Sequence, residues 1–286
     1  MTATEKRQRV RAILQGSACV HPGSVHDPIS ARIAEDLGFE LGMFAGSTGS
    51  LTVLGAPDLI VLTLSEFAGQ ARRICRAGHL PLVVDADHGY GNALNAMRTV
   101  RELENAGVAA LSIEDTELPR PYGDGTPRLI PLAEGLGKVR AAVAAREDAS
   151  TCILARTGAA AITGLEDAIA RTRAYCETGA DALFLTGVKT RDELDALSAA
   201  ATLPLVLGTM TPALADREYL AARGVRIALQ GHQPFQASVA AIHATLKALR
   251  DGVAPADLKG LASPQLMKQV TREAAYAAAT RDFLGG

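Results

Sequence analysis

Two aspartates one residue apart, Asp85 and Asp87, close an apolar run in the stretch LPLVVDADHGYGN, Leu80 to Asn92. On an extended strand, alternation turns both toward the same face. Two acids sharing one space repel each other unless something positive sits between them. A hard divalent cation with oxygen ligands, such as Mg²⁺, suits that position. The competing reading is structural, because acids are common where strands pass into helices, one capping the helix and one solvated. Which reading holds depends on what else the fold brings to the same place.

The elements that must position the two acids can be read outward from them. Leu80 to Val84 is continuously apolar, as a strand buried on both faces of a parallel sheet should be. Gly89 and Gly91 loosen the backbone beyond it, and Asn92 is placed to cap the next helix. The same alternation runs the length of the chain. Thr4 to Leu14 reads as an amphipathic helix and Ser17 to Val20 as a first strand ending at His21-Pro22-Gly23. Asp27-Pro28 opens a helix that runs to Leu37. Phe39 to Ala45 is the second strand, followed by a loop rich in Gly, Ser and Thr, and Thr63 to Glu66 has capping-box spacing. Further strands are expected at 108–113, 151–155, 182–185, 203–207 and 225–229, with helices at 133–146 and 165–178 among them. The polar segment Thr116 to Arg128, with Pro119, Pro121 and a YGDG turn, reads as a surface loop over the site.

Eight β/α steps in one chain of 286 residues, with no linker between them, predict a single-domain (β/α)8 TIM barrel spanning 1–286. An open doubly wound sheet is the alternative. A barrel demands polar groups at the carboxyl ends of several strands, and those ends carry His21, Gly46-Ser47, Asp85 with Asp87, Glu114, Arg156, Thr186, Thr209 and His232. The strand bodies are almost purely apolar, so the charge at their ends has no packing purpose, and the structural reading of Asp85 and Asp87 weakens.

Composition narrows the rest. A net charge of −2 makes no case for nucleic acid or a membrane surface. No apolar run approaches the roughly 20 residues of a membrane span, and MTATEKRQRVRAIL has no apolar signal core. The four cysteines, Cys19, Cys75, Cys152 and Cys176, form no CxxC pair and read as small buried hydrophobes of a reducing cytoplasm.

Each candidate has a plainer alternative. Arg156 could be a structural partner of Glu114, or could grip a substrate carboxylate in bidentate fashion. Gly46-Ser47 could be only a turn, although free N–H groups there would suit an anionic oxygen. His21 is as good a structural hydrogen bonder as a catalyst. His232, in QGHQPF past the eighth strand, has a loop placement that favours function, whereas His243 lies in a helical run. Asp58, after Ala56-Pro57, would ordinarily be a cap or turn residue.

Several stretches together resemble the isocitrate lyase/phosphoenolpyruvate mutase superfamily over nearly the whole chain. HDPISARIAEDLGFE is similar to its first helix, GSTGSLTVLGAPD to its glycine-rich loop, and DADHGYGN to its most specific motif. VAALSIEDTELPRPYG resembles its fourth strand and following loop, and GADALFLTGVK its sixth strand. The resemblance implies a Mg²⁺-dependent barrel, with Mn²⁺ able to substitute, acting on small 2-oxo or enolic acids. It implies Asp85 as metal ligand, with Asp58, Asp87 and Glu114 around the ion partly through water. It implies Gly46, Ser47 and Arg156 as holders of the substrate carboxylate and oxo oxygen. It also implies a homotetramer, a dimer of dimers, with the C-terminal helical segment from about 236 to 286 packed on a partner subunit.

Departures from the family pattern indicate the branch. The lyases carry a catalytic cysteine after strand four, where this chain reads PRPYGDG. The lysine and asparagine of the mutase loop are missing too. Strand six ends in Thr186 rather than glutamate, and strand seven reads Thr209-Met210 rather than Asn-Met. The segment Gln230-Gly-His232-Gln-Pro replaces a Tyr-Pro-like one and looks like the oxaloacetate decarboxylase branch. The resemblance therefore implies a biotin-independent, metal-dependent carboxy-lyase in which His232 and Arg156 are catalytic. Rival expectations are a carbon–carbon lyase for a methylmalate- or methylisocitrate-like diacid, a Schiff-base aldolase using Lys189, and a barrel that binds small acids without turning them over.

Overall fold

The computed structural model of the chain describes residues 1–285 apart from 124 and 209. These fall into two compact units, Met1–Gly231 and His232–Gly286. The first holds eight parallel strands: β1 (Gly23–Ser24), β2 (Gly42–Phe44), β3 (Leu82–Asp85), β4 (Ala110–Glu114), β5 (Cys152–Thr157), β6 (Ala182–Leu185), β7 (Leu205–Leu207) and β8 (Val225–Ala228). Each pairs with the next in sequence. A parallel bridge between Val20 and Ile227 closes the ring. There the Val20 N–H donates to the Arg226 carbonyl at 2.9 Å, and the Ala228 N–H donates to the Val20 carbonyl at 3.0 Å. The expected (β/α)8 barrel is the observed fold, and the open sheet is excluded.

Period-two alternation sorts the strand residues into two cores. Met43, Val83, Ala110, Leu154, Phe184, Val206 and Ile227 cluster together, drawn from seven strands. Their neighbours Phe44, Leu82, Val84 and Leu111 pack instead with Phe67, Ala71, Val100 and Leu103 of the surrounding helices. Continuing the first set toward the carboxyl ends reaches Asp85 after Val83, Glu114 two positions past Ser112, and Arg156 after Leu154. The residues that line the barrel thus become charged where the strands finish. The register sets Asp85 beside Ser112, and Glu114 beside Arg156.

The helix starts follow the caps. Asp27, Thr63 and Asn92 each accept from a backbone N–H of the first turn in a capping box. Two local expectations change. Strand one is not Ser17 to Val20; only Val20 bridges, and the ladder begins beyond Pro22, which has no N–H to give. The glycine-rich stretch after β2 is not an open loop. It forms helical turns, Gly46–Gly49 continuing into a π-helical segment Ser50–Leu54. Gly49 lies close under the helix Leu64–Cys75, where a Cβ would stand a tight 3.0 Å from the Phe67 ring.

Behind β4, Asp115 is almost wholly buried. Arg171 pairs with it at 3.0 Å and the Tyr175 hydroxyl donates to it at 2.9 Å, tying the helix Leu165–Cys176 to the end of the strand. The segment after it is pinned by the Glu117 N–H donating to the Arg128 carbonyl at 2.8 Å, and its described residues from Pro119 to Arg128 are exposed.

The second unit contains helices Gln233–Arg250, Pro264–Thr271 and Glu273–Leu284. The first has no buried residue, and Val239, Ile242, Leu246 and Leu249 are exposed on it at helical spacing.

Candidate active site

Asp85 ends β3 and is turned to the barrel mouth by the alternation described above. The Ser112 hydroxyl donates to its Oδ1 at 2.8 Å. The chain then leaves strand geometry. Asp87 has φ of 49° and Tyr90 of 59°, both left-handed, with Gly89 and Gly91 also at positive φ. Asp87 therefore does not reach Asp85's face by strand alternation, as expected from the sequence. A tight turn carries it there, held by the Gly89 N–H on the Ala86 carbonyl at 2.9 Å and by the Glu114 N–H on the Asp87 carbonyl at 2.9 Å. A non-glycine residue at positive φ is uncommon, and such strain collects at functional sites. Gly89 is required for packing as well as conformation, because a Cβ there would meet Ala96 and Ile113 at 3.2 Å.

Across the mouth, the Asp87 carboxylate lies against Gly46, where a Cβ would collide with both of its oxygens. Gly46 and Ser47 open the helical turn after β2 with no side-chain cap, so their N–H groups keep the freedom of a helix start. From β5, Arg156 forms ion pairs with Asp85 and, at 3.4 Å, with Glu114. Its guanidinium also lies 5.4 Å from the centre of the Phe184 ring. Both roles weighed for Arg156 remain compatible with this position: it braces Glu114, and its buried Nε–H has no partner. The Thr116 hydroxyl donates to Glu114 at 2.7 Å.

The electrostatics show what the pairing leaves unbalanced. Burial pushes the Asp87 carboxyl well above the usual carboxylate range, and Asp85, Glu114 and Asp58 push it further, while Arg156 opposes them. Glu114 is raised by burial against the pull of Arg156. Burial works against the Arg156 charge, but Asp85 and Glu114 outweigh it and hold the guanidinium above its ordinary value. One arginine thus faces more acid than it neutralises. Asp58 is exposed on the segment between the π-helical turn and Thr63, yet its charge still acts on Asp87.

The four acids fit a hard divalent ion in kind and in excess charge. Among the described residues, no three such groups already stand in ligand geometry. Mg²⁺ does not require that, since it commonly keeps several waters and takes only one or two carboxylates. Arg156 pairs with two of the four acids, Asp85 and Glu114.

The remaining candidates lie as follows. The His21 Nδ1 is 2.8 Å from the Ala228 carbonyl, a structural hydrogen bond between β8 and the segment before β1. The Thr186 hydroxyl donates to the Thr157 carbonyl at 3.4 Å. Thr209 lies outside the described residues. His232 is the N-cap of the helix Gln233–Arg250 and the first residue of the second unit, rather than part of a free loop. Lys189 is exposed, without the burial that activates a Schiff-base lysine. His243 is exposed on its helix. Sequence reading missed Ser112 as the partner of Asp85, because the strand register that joins them is not visible in one chain.

The family model of phosphoenolpyruvate phosphomutase matches residues 11–250. The chain belongs to that family. It is 58% identical to an oxaloacetate decarboxylase of Bradyrhizobium sp. (strain ORS 278), over 100% of this chain and 99% of that one. Among solved structures it is similar to a phosphonopyruvate hydrolase in complex with oxalate and Mg²⁺, at 31% identity and a TM-score of 0.85, covering 99% of this chain and 100% of that one. It is similar also to an oxaloacetate acetylhydrolase bound to 3,3-difluorooxalacetate, at 28% identity and a TM-score of 0.85, covering 98% and 97%.

Because Asp87 and Glu114 have raised pKa values, they hold protons more tightly in the folded chain than in the unfolded one. Their contribution favours folding below the ordinary carboxylate range and is lost as pH climbs through the raised values. Asp87→Asn should therefore stabilise the ion-free protein at neutral pH, by roughly 1 to 2 kcal/mol, the range of typical stabilising changes. Its gain should shrink toward pH 4. Urea unfolding at both pH values in EDTA checks this, and an unchanged or lowered midpoint at neutral pH would contradict the charge assignment.

Proposed function

We propose that this chain is a Mg²⁺-dependent oxaloacetate decarboxylase, releasing CO₂ and pyruvate, with Mn²⁺ able to substitute. The buried acid cluster with its unpartnered Arg156 Nε–H carries the reading. It combines an excess of carboxylates, which calls for a divalent cation, with a donor free for an anionic oxygen. The relatives named above act on or bind compounds of this class, which supports the substrate.

In the reaction the C3–C4 bond of oxaloacetate breaks, CO₂ leaves with C4, and the electron pair passes into the enolate of pyruvate. A proton returned to C3 completes the product. When bound, the ion supplies Lewis-acid charge that favours electron density on the C2 oxygen. Asp85 is proposed as its direct ligand, with Asp58, Asp87 and Glu114 around it. Gly46 and Ser47 offer backbone N–H groups to the C1 carboxylate, and Arg156 contributes a charged donor. No base is needed to remove a proton from carbon, so the absence of a lyase-type cysteine from the β4 loop is no obstacle. His232 is proposed to donate to the enolate oxygen, an assignment that rests on the QGHQPF stretch in which it stands.

The wider context belongs to the same proposal. The exposed apolar stripe Val239, Ile242, Leu246 and Leu249 supports packing of the C-terminal helices on a partner subunit within a homotetramer. All four cysteines are free, which supports a reducing, cytoplasmic setting. Among the described residues, no helix is long and apolar enough to cross a membrane.

Three outcomes are expected. Pyruvate should form from oxaloacetate, in preference to other 2-oxo and 2-hydroxy diacids, only with Mg²⁺ or Mn²⁺, and Asp85→Ala should abolish turnover while circular dichroism stays native. Turnover persisting in EDTA would sink the metal reading, and stronger cleavage of a methylmalate-like diacid would favour a carbon–carbon lyase.

His232→Ala should lower kcat by roughly 10² to 10³, as loss of one donor to a developing oxyanion does, with a smaller change in KM. His232→Gln should retain more activity than the alanine variant. A parent rate for His232→Ala would leave the histidine structural.

Sedimentation should give the mass of a tetramer, and Ile242→Asp with Leu246→Asp should lower it. A wild-type monomer would overturn the partner assignment.

A further inference from the structure

The DADHGYGN turn contains a hydroxyl that the cluster described so far does not use. The Tyr90 hydroxyl is buried and has no hydrogen-bond partner. A buried hydroxyl left unsatisfied is destabilising, so its persistence at this place needs a reason. The side chain is not loosely held. Its ring lies 6.4 Å from that of Phe67 and 6.1 Å from that of His88, and Phe67 stacks in turn on Phe44 at 4.8 Å. Phe67 belongs to the helix Leu64–Cys75 and Phe44 to β2, so two elements besides its own turn restrain it. Its backbone adopts a φ of 59°, which a bulky residue rarely takes without compensation elsewhere.

The surroundings of the hydroxyl identify its absent partner. Burial raises its pKa above the ordinary phenol value, and Asp87, Asp85 and Asp58 raise it further. The group therefore stays a protonated donor, in the same turn as Asp87 and under the influence of three of the four carboxylates assigned to the ion. A purely packing role would be met by phenylalanine, without a stranded oxygen among acids.

We propose that Tyr90 is a positioning residue of the ion site, its hydroxyl hydrogen-bonding to one of the oxygens that would surround a bound divalent cation. This rests on the metal reading above. The shell would supply the partner the hydroxyl lacks, and the aromatic cluster of Phe44, Phe67 and Tyr90 fixes where that partner can stand. Tyr90 thereby ties the position of the ion to the packing between β2 and the helix Leu64–Cys75.

Tyr90→Phe keeps the ring and removes only the oxygen. Mg²⁺ binding to the full-length protein, measured by calorimetry without substrate, should weaken about 3- to 10-fold, the effect of one hydrogen bond. Thermal unfolding in EDTA should show the variant equal to or more stable than the parent, because the stranded hydroxyl is gone. Mg²⁺ should then raise the melting temperature of the parent more than that of the variant. Equal Mg²⁺ affinities in the two proteins would overturn the role of Tyr90 and leave the metal reading intact. A parent that binds no Mg²⁺ would overturn the metal reading itself. Loss of affinity together with a lower melting temperature in EDTA would mark the hydroxyl as part of the fold and also overturn the proposal.

Discussion

The mutual repulsion of buried carboxylates at the mouth of the barrel governs the rest of this structure. Asp85, Asp87 and Glu114 are each less than a tenth exposed and meet where β3 and β4 end. Burial alone disfavours their charge, and each makes the others' charge harder to bear. Arg156, delivered by the neighbouring strand at the register of Glu114, is the counter-charge. Removing one partner of such a buried group is far more damaging than never having built it. The ring of strands must therefore hold β3, β4 and β5 in fixed order and register before the acids can be tolerated. Their two long packed interfaces, and the Asp115–Arg171–Tyr175 tie behind β4, serve that requirement.

Much of this was legible in one chain because barrel strands translate composition into position with little ambiguity. A doubly buried strand reads as an apolar run, and alternation decides which residues face the interior. Val83 then Asp85, and Leu154 then Arg156, could be counted off without coordinates. Caps were equally readable, since Asp27, Thr63 and Asn92 act within three residues of themselves. The resemblance carried by DADHGYGN and its companions added the family, which periodicity does not provide.

What escaped was non-local or conformational. Asp87 was placed on the strand face, and it reaches that place through a left-handed turn instead. Nothing in the pattern D-x-D distinguishes the two, because both bring the carboxylates together. The first strand shifted past Pro22 because the bridging of Val20 depends on β8, far away in sequence. The turn Gly46 to Leu54 looked like a loop by composition, yet its glycines serve close approach to Phe67 and to the Asp87 carboxylate. Glycine announces that something comes near, and only the fold says what.

The charge balance also bears on how a barrel mouth so acidic can receive an anion. Oxaloacetate carries two carboxylates, and the charge of the acid cluster by itself would repel it. Arg156 alone cannot reverse that sign, because Asp85 and Glu114 already engage it. A divalent ion held by these acids would offset their charge, and with Asp85 as its ligand, as proposed, more of the Arg156 hydrogen-bonding capacity would be left for a substrate. In a low-dielectric mouth such exchanges of charge are worth far more than in water. On the proposed metal reading, the same acids that are costly to bury would make recognition of the substrate depend on the cation, which would set stability against function at Asp87.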